Sequence, residues 1–160
     1  MPKVLLRKLK ITDKKYFAKW WRDKSLSHLM SGSTKYVTDK EVDEYFSAFC
    51  KSRTDFHHMI IVEKKVIGHV FLSKNKKDSY SIQIVIGEKE YWNKGVGTKA
   101  IKIAIQKSKK KGVKKIALEV RPNNFRAIRA YEKCGFVKKG TKKYPKNKLL
   151  PEVLKMSLKQ

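Results

Sequence analysis

The feature that most constrains the fold is a change in the period of the apolar residues near the middle of the chain. Over residues 12–49 the apolar side chains recur at helical spacing, whereas residues 57–63, 66–72 and 80–86 are short β-branched runs that are typical of strands. Lys64-Lys65 separates the first two runs and predicts a hairpin. This combination of patterns favours an α+β architecture.

The remaining patterns complete one domain. Alternating apolar and basic residues predict a first strand, and Thr12-Asp13 and Thr38 or Asp39 can cap the two helices that follow it. The later predicted elements are a helix over 96–111, a strand over 115–120, a helix over 124–133 and strands over 136–137 and 153–158, around a Lys-rich hairpin at 138–148. Because no repeat or linker interrupts this order, we expect residues 1–160 to form a single domain with about four helices and six or seven strands.

The formal net charge of +26 has three competing interpretations: a solvated lysine-rich surface, an acidic substrate or partner, and nucleic-acid binding. Proteins that recognise the bases of DNA favour arginine, and proteins that bind single-stranded nucleic acid favour basic residues interleaved with aromatics. Here lysines predominate over arginines and are spread along the chain. We therefore rank the solvated surface first, an acidic substrate or partner second and nucleic acid last. In each case the charge speeds the encounter with a polyanionic cofactor.

The apolar runs and the cysteines indicate where the protein resides and whether it binds a metal. The sequence has no apolar run of the roughly 18 residues that a membrane span needs and no signal-peptide pattern, so we expect a soluble cytoplasmic protein. The oligomeric state stays open between a monomer and a homodimer. Cys50 and Cys134 belong to no metal-ligand cluster. We expect two reduced thiols and no bound metal.

Lys94-Gly95-Val96-Gly97-Thr98 is the first candidate functional motif, because it follows a strand and opens a helix. At such a junction the first backbone N–H groups have no partner within the helix, and the helix dipole favours an anion. The glycines allow the backbone to approach a phosphate, and Lys94 adds positive charge. Taken alone, the motif predicts a phosphate site about as strongly as it predicts an ordinary glycine-rich loop.

A second motif identifies a family. The stretch from 124 to 136 reads N-x-x-A-x-x-x-Y-x-K-x-G-F. Together with the glycine motif it resembles the GNAT superfamily of N-acetyltransferases, whose phosphate loop reads [Q/R]-x-x-G-x-[G/A]. Trp92 stands where that loop usually has Gln or Arg, and this is similar to the RimJ/RimL-like branch and to spermidine acetyltransferases. The stretch Leu6 to Leu29, a strand followed by a Trp-containing helix, resembles the same branch.

The resemblance implies a central mixed, twisted sheet in which the fourth and fifth strands splay into a V, with acetyl-CoA in the gap. Backbone groups near Ile84 and Ile86 would contact the pantetheine arm and the acetyl carbonyl. The other implied cofactor-binding residues are Lys94, Gly95, Val96, Gly97, Thr98, Asn124, Ala127 and Tyr131.

The resemblance also implies direct attack of a neutral amine on the thioester, with a backbone donor stabilising the oxyanion. Tyr131 would protonate the leaving thiolate. The base is less evident: Glu119 lies on the opposite strand face from the neighbouring apolar residues and is the best carboxylate, with Glu88 second, and either could equally be an ordinary surface acid. The four histidines are scattered and are expected to be structural. Glu119, Gln83 and Trp21 are the expected substrate contacts.

The acceptor remains open between a protein N-terminus, a polyamine and an aminoglycoside. Residues 124–140 also resemble aminoglycoside 6'-N-acetyltransferases, but that family has an acidic residue where Gln83 stands. The excess of lysine also suits a polycation poorly, so an acidic protein with a free N-terminus is favoured. The alternative from another class is a non-catalytic module that binds acyl-CoA or nucleic acid.

Overall fold

The computed structural model describes residues 2–76 and 78–158, which form one seven-stranded mixed sheet and five α-helices. The strands are β1 (Val4–Lys8), β2 (Phe56–Val62), β3 (Lys65–Lys74), β4 (Ser79–Ile86), β5 (Lys115–Val120), β6 (Phe136–Lys143) and β7 (Glu152–Leu158). The helices are α1 (Lys14–Trp21), α2 (Lys24–Met30), α3 (Asp39–Lys51), α4 (Val96–Lys110) and α5 (Phe125–Lys133).

The sheet order is β1-β2-β3-β4-β5-β7-β6. The first four strands form an antiparallel meander, and the hairpin expected at Lys64-Lys65 is present, with Glu63 and Lys64 in the turn at φ 50° and 66°. Helix α4 then crosses over, so that β5 pairs in parallel with β4. This crossover confirms the α+β architecture and creates the junction at which the functional motifs lie.

Each face of the sheet has its own hydrophobic core. On one face α4 and α5 cover a core that includes Ile60, Ile82, Ala100, Leu118 and Met156. On the other face α1, α2 and α3 cover a smaller aromatic core, whose buried members are Phe17, Trp20, Leu26, Phe46 and Met59. Trp20 lies directly against Gly87, where a Cβ atom would collide with the indole ring. This close approach fixes α1 to the end of β4.

Two sequence expectations about the first helices are corrected. The helical pattern after Asp13 is divided, because α1 ends before Asp23, whose carboxylate accepts hydrogen bonds from the N–H groups of Ser25 (3.0 Å) and Leu26 (3.2 Å) and starts α2. Asp13 precedes α1 but does not cap it through its side chain. Its buried carboxylate binds Arg7 at 2.7 and 2.8 Å instead.

Strand β6 is longer than the two residues that the sequence predicts. It continues for six further residues, through the first part of the predicted lysine-rich hairpin to Lys143, because β7 supplies hydrogen bonds along its length, with a bulge between Lys138 and Gly140. Its residues after Phe136 are exposed, so no apolar alternation marks them as a strand. The connecting loop is therefore short and spans 144–151.

None of the described helices is long and apolar enough to cross a bilayer. Cys50 and Cys134 are both free thiols. Within residues 2–76 and 78–158, no group of three or more His, Cys, Asp or Glu side chains could hold a metal ion.

Buried histidines couple the stability of the sheet to pH. His58 is 8% exposed, and burial together with Lys107 and Lys111 lowers its pKa from 6.5 to about 4. Burial also lowers the pKa of His57 and of His69 on the opposite face. Because these side chains take up protons more readily in the unfolded chain, stability is complete above about pH 6.5 and is lost as the pH falls towards 4.

The first prediction concerns His58→Leu. In urea unfolding, the wild-type free energy of unfolding should fall between pH 6.5 and pH 4, with a contribution from His58 of at most about 3 kcal/mol. The variant should lose that part of the slope while keeping the part due to His57 and His69. His28→Leu, at an exposed histidine, is the control and should leave the slope unchanged. A slope in His58→Leu equal to that of the wild type would contradict the prediction.

Candidate active site

A gap between β4 and β5 forms a cleft. The two strands pair only through Ser79↔Lys115, Tyr80↔Ile116 and Ser81↔Ala117, although β4 continues for five residues beyond the last pair. From that point the strands diverge and enclose a cleft of about 420 Å³. Such a volume is typical of small-molecule sites. The divergence is the V-shaped splay that the sequence resemblance implies.

Strand alternation divides the cleft between the two faces of the sheet. Ile84 and Ile86 point towards the core under α4 and α5, together with Tyr131. Gln83 and Glu119 occupy the alternate positions on their strands and so point towards α1 and α2. All five of these residues line the cleft. A molecule lying in the gap would therefore meet one set of side chains on each face.

The N-terminus of α4 opens into the cleft. Gly95 precedes the helix in the left-handed conformation at φ 73°, and no side chain caps the first turn. A Cβ atom on Gly97 would meet only the side chains of Ile86 and Ile84, at 3.9 and 4.0 Å, which is ordinary contact. The fold therefore requires glycine at 95 but not at 97. The absence of a side chain at 97 leaves room beside the free N–H groups of the helix.

Trp92 and Arg126 form a stacked pair beside this helix start. The Arg126 guanidinium lies 3.4 Å from the centre of the Trp92 ring, and the indole N–H donates to the Ile86 carbonyl at 2.8 Å. Burial lowers the pKa of Arg126. Within the described part of the chain, no carboxylate or carbonyl accepts from its guanidinium. A half-buried cation without an anionic partner is suited to an anionic ligand.

Helix α5 adds two further cations to the same wall. Arg126, Arg129 and Lys133 recur at spacings of three and four residues and all line the cleft. They face the N-terminus of α4 across the gap. This end of the cleft is therefore strongly electropositive and offers backbone donors as well as side-chain charge.

Asn124 and Tyr131 lie at the two ends of the cleft-facing side of α5. The Asn124 side chain caps the helix by accepting from the Ala127 N–H at 3.4 Å. Tyr131 is 5% exposed, and burial is the main cause that raises its pKa well above 10, while a backbone hydrogen bond from Ile84 opposes the rise. Tyr131 therefore keeps its proton throughout the physiological pH range.

The other end of the cleft contains a single carboxylate held by the last hairpin. The Tyr144 hydroxyl lies 2.7 and 2.8 Å from the two oxygens of Glu119 and donates to the carboxylate. The Lys142 ammonium lies 4.0 Å from the same group. Glu119 is the only acidic side chain among the described residues that line the cleft.

Most of the residues expected from the sequence lie together in this cleft. Its lining includes Gln83, Ile84, Ile86, Gly95, Val96, Gly97, Thr98, Glu119, Asn124, Ala127 and Tyr131. Lys94 and Trp21 are not part of the lining: the Lys94 ammonium lies over the Tyr91 ring, and Trp21 packs in the aromatic core. Glu88 is also outside it, because its carboxylate binds Lys19 and the Trp20 indole.

Several features of the site escaped the sequence analysis. The resemblance marked Trp92, but the Arg126 stack depends on a contact between two separate elements. Tyr144 reaches Glu119 through the pairing of β5, β6 and β7, and no local pattern reports that register. Leu26, Leu29 and Met30 of α2 also line the cleft and form an apolar wall. The sequence held a usable signal for this helix in Asp23, a residue type that often caps helices.

Comparison with solved structures identifies the fold. The spermidine N-acetyltransferase from Vibrio cholerae, in complex with CoA and spermine, has a TM-score of 0.83 at 24% identity, covering 97% of this chain and 94% of that one. The aminoglycoside acetyltransferase AAC(6')-Ib, in complex with ribostamycin and coenzyme A, has a TM-score of 0.83 at 22% identity, covering 99% of this chain and 94% of that one.

The model of the acetyltransferase (GNAT) family matches residues 17–136, and the chain belongs to that family. A curated relative, the uncharacterized protein MJ1062 of Methanocaldococcus jannaschii, is 34% identical over 87 residues. That match covers 54% of this chain but only 18% of the relative's length.

The second prediction separates the structural role of Asn124 from any role in binding. Asn124→Ala should lower the free energy of unfolding by about 1 kcal/mol, because α5 loses its side-chain cap. Asn124→Asp should keep most of that stability, since aspartate caps a helix as well as asparagine does. Urea unfolding of the unliganded protein measures both. Equal stability of the wild type and Asn124→Ala would show that the 3.4 Å contact contributes nothing to the fold.

Proposed function

We propose that the protein transfers an acetyl group from acetyl-CoA to a primary amine. The observation that carries this proposal is the β4–β5 gap, which has a cationic, donor-rich end at α4 and α5 and an end with one carboxylate near α2. The first end suits the phosphates of coenzyme A, and the second suits an ammonium group. Acetyl-CoA supplies the acetyl group in activated form, as a thioester.

The two ends of the cleft have different tasks in this proposal. The N–H groups of Val96, Gly97 and Thr98 bind the pyrophosphate, and Arg126 neutralises part of its charge. Asn124 and Ala127 lie at the start of α5, beside the cofactor. Backbone groups on the open edge of β4, near Ile84, bind the pantetheine arm. The carbonyl of Ile86 already accepts from the Trp92 indole, which uses one of its two lone pairs.

Glu119 acts on the proton of the attacking amine, and Tyr131 acts on the leaving sulfur through its hydroxyl proton. Glu119 holds the incoming ammonium and can accept the proton that the amine must lose before it attacks. Tyr131 provides a hydroxyl for the sulfur that departs. Because its pKa is raised, the hydroxyl is always protonated at neutral pH and stabilises the developing thiolate as a hydrogen-bond donor.

We further propose that residues 1–160 form one domain of the RimJ/RimL-like branch. Trp92 at the usual Gln or Arg position supports the branch, and its bond to the Ile86 carbonyl gives that substitution a structural role. The expected cytoplasmic location stays a prediction. The function itself is tested by following CoA thiol release from acetyl-CoA with a panel of primary amines. Absence of turnover with every amine, while acetyl-CoA binds, would overturn the proposal.

The third prediction concerns Tyr131→Phe. Loss of the hydroxyl should lower kcat by about 10-fold to 1000-fold while leaving the affinity for acetyl-CoA nearly unchanged, because the hydroxyl acts mainly on the leaving sulfur. In the wild type, loss of activity through deprotonation of Tyr131 should begin only above pH 10, since burial raises the pKa from that value. Steady-state rates from pH 6 to pH 10 measure this. An unchanged kcat in the variant would remove Tyr131 from the mechanism.

The fourth prediction concerns the unpaired guanidinium of Arg126. Arg126→Gln should weaken CoA binding by about 10-fold to 100-fold, the range for one charge-assisted hydrogen bond. Titration calorimetry with CoA and with 3'-dephospho-CoA should show the same loss for both ligands if Arg126 contacts the pyrophosphate. Arg53→Gln, at an exposed site outside the cleft, makes the same change in net charge and is the matched control. Equal losses in the two variants would mean that only the overall charge matters.

A further inference from the structure

The Trp92 ring has a position that the fold sets without a ligand. Trp92 lies between β4 and α4, is half-buried and lines the cleft. One edge of the indole is bonded to the end of β4, because its N–H donates to the Ile86 carbonyl at 2.8 Å. The ring also packs against the aromatic core under α1, α2 and α3. The strand and the core therefore hold the ring at the wall of the cleft.

The Arg126 guanidinium is in direct contact with this ring. Its central carbon lies 3.4 Å from the ring centre, whereas a cation is attracted to an aromatic face from as far as about 6 Å. The neighbouring pair is looser, with the Lys94 ammonium 5.8 Å from the centre of the Tyr91 ring. At 3.4 Å the guanidinium and the indole are in van der Waals contact with no water between them. The α5 side of the cleft thus reaches the β4 side through one stacked pair.

Stacking leaves the hydrogen-bond donors of Arg126 free. The N–H groups of a guanidinium lie in its plane and point outward from its edge, and an aromatic ring covers only its face. Among residues 2–76 and 78–158, no carboxylate or carbonyl accepts from these donors. Arg126 lines the cleft and is half-buried. The stacked cation therefore presents an unused, planar set of donors, which matches the geometry of a phosphate.

Trp92 can affect an anion only through Arg126. The indole carries no charge, and its one N–H already donates to Ile86. An arginine side chain has several rotatable bonds, so a free guanidinium loses conformational freedom when it binds a ligand. The stack removes part of that freedom in advance, and such preorganisation raises affinity.

We propose that Trp92 is a positioning residue for the cofactor. Its ring holds the Arg126 guanidinium beside the N-terminus of α4, with the donor edge towards the pyrophosphate. The helix N–H groups and the guanidinium then bind the same anion from two sides. This inference rests on the binding of coenzyme A proposed above, and it adds the residue that orients the cation.

Single variants test the stack through CoA binding, measured by titration calorimetry. Trp92→Leu should weaken binding by about 3-fold to 30-fold, whereas Trp92→Phe keeps an aromatic face and should stay within about 3-fold of the wild type. Arg126→Lys keeps the charge but loses the planar group, so it should weaken binding as Trp92→Leu does. Wild-type affinity in Trp92→Leu or in Arg126→Lys would overturn the inference, and so would equal losses in Trp92→Phe and Trp92→Leu.

Tyr16→Leu is the matched control for damage to the aromatic core. Tyr16 packs against the same core as Trp92 but does not line the cleft. The variant should therefore bind CoA as the wild type does, even where urea unfolding shows that it is less stable. A loss of CoA affinity equal to that of Trp92→Leu would mean that the core, not the stack, supports binding.

A double-mutant cycle tests whether Trp92 acts through Arg126. In the Arg126→Gln background, Trp92→Leu should weaken CoA binding by less than about 2-fold more, because the group that the ring orients is already absent. Pantetheine lacks the phosphates, so its affinity should not respond to Trp92→Leu. Effects that add in the double variant, or an equal loss for pantetheine and CoA, would show that the ring only supports the shape of the cleft and would overturn the inference.

The outcomes separate this inference from the proposed function. A wild-type protein that binds no CoA would overturn both. A protein that binds CoA while the effects of Trp92→Leu and Arg126→Gln add would overturn the inference alone. A protein that binds CoA with the two residues coupled, but acetylates no amine, would overturn the proposed function alone.

Discussion

The early end of the pairing between β4 and β5 is the constraint on which the rest of the site depends. Parallel strands normally continue their ladder, and backbone groups that lose it need other partners. Here the ladder stops after Ser81 and Ala117, so the middle of the sheet contains an open edge as well as a cleft. The short pairing holds only because both flanking strands remain paired on their outer edges, β4 with β3 and β5 with β7.

The two faces of the sheet give the two sides of the cleft different charges and polarities. The α4 and α5 face combines the start of one helix with a row of cations from another, which is an arrangement for phosphates. The opposite face combines an apolar helix wall with one carboxylate and two nearby lysines. These two environments meet in the gap between β4 and β5, and Tyr131 lines the gap from the face covered by α4 and α5. In the proposed function, substitutions on the face of α1 and α2 would alter selectivity for the amine without disturbing the binding of acetyl-CoA.

Local patterns predicted the elements that depend on nearby residues. The hairpin at Lys64-Lys65 and the helix α5 follow from turn chemistry and from helical periodicity, which act over a few residues. The full length of β6 could not be predicted, because its exposed lysines become a strand only through pairing with β7. The contact between Tyr144 and Glu119 could not be predicted for the same reason, because it depends on the pairing of β5 and β6 with β7. The resemblance placed Trp21 among the substrate contacts, and only the packing of α1 shows that Trp21 lies outside the cleft lining.

The open edge of β4 also has a consequence for the exchange of amide hydrogens. A central strand normally contains the most protected amides of a sheet, since both of its edges are bonded. In β4 the edge beyond Ser81 faces the cleft, and the N–H groups on that side have no partner strand. Apart from the N–H of Ile84, which donates to the Tyr131 hydroxyl, they should exchange with solvent far faster than the N–H groups that bond to β3 in the same strand. The exchange rates of these amides would therefore show whether a molecule occupies the gap.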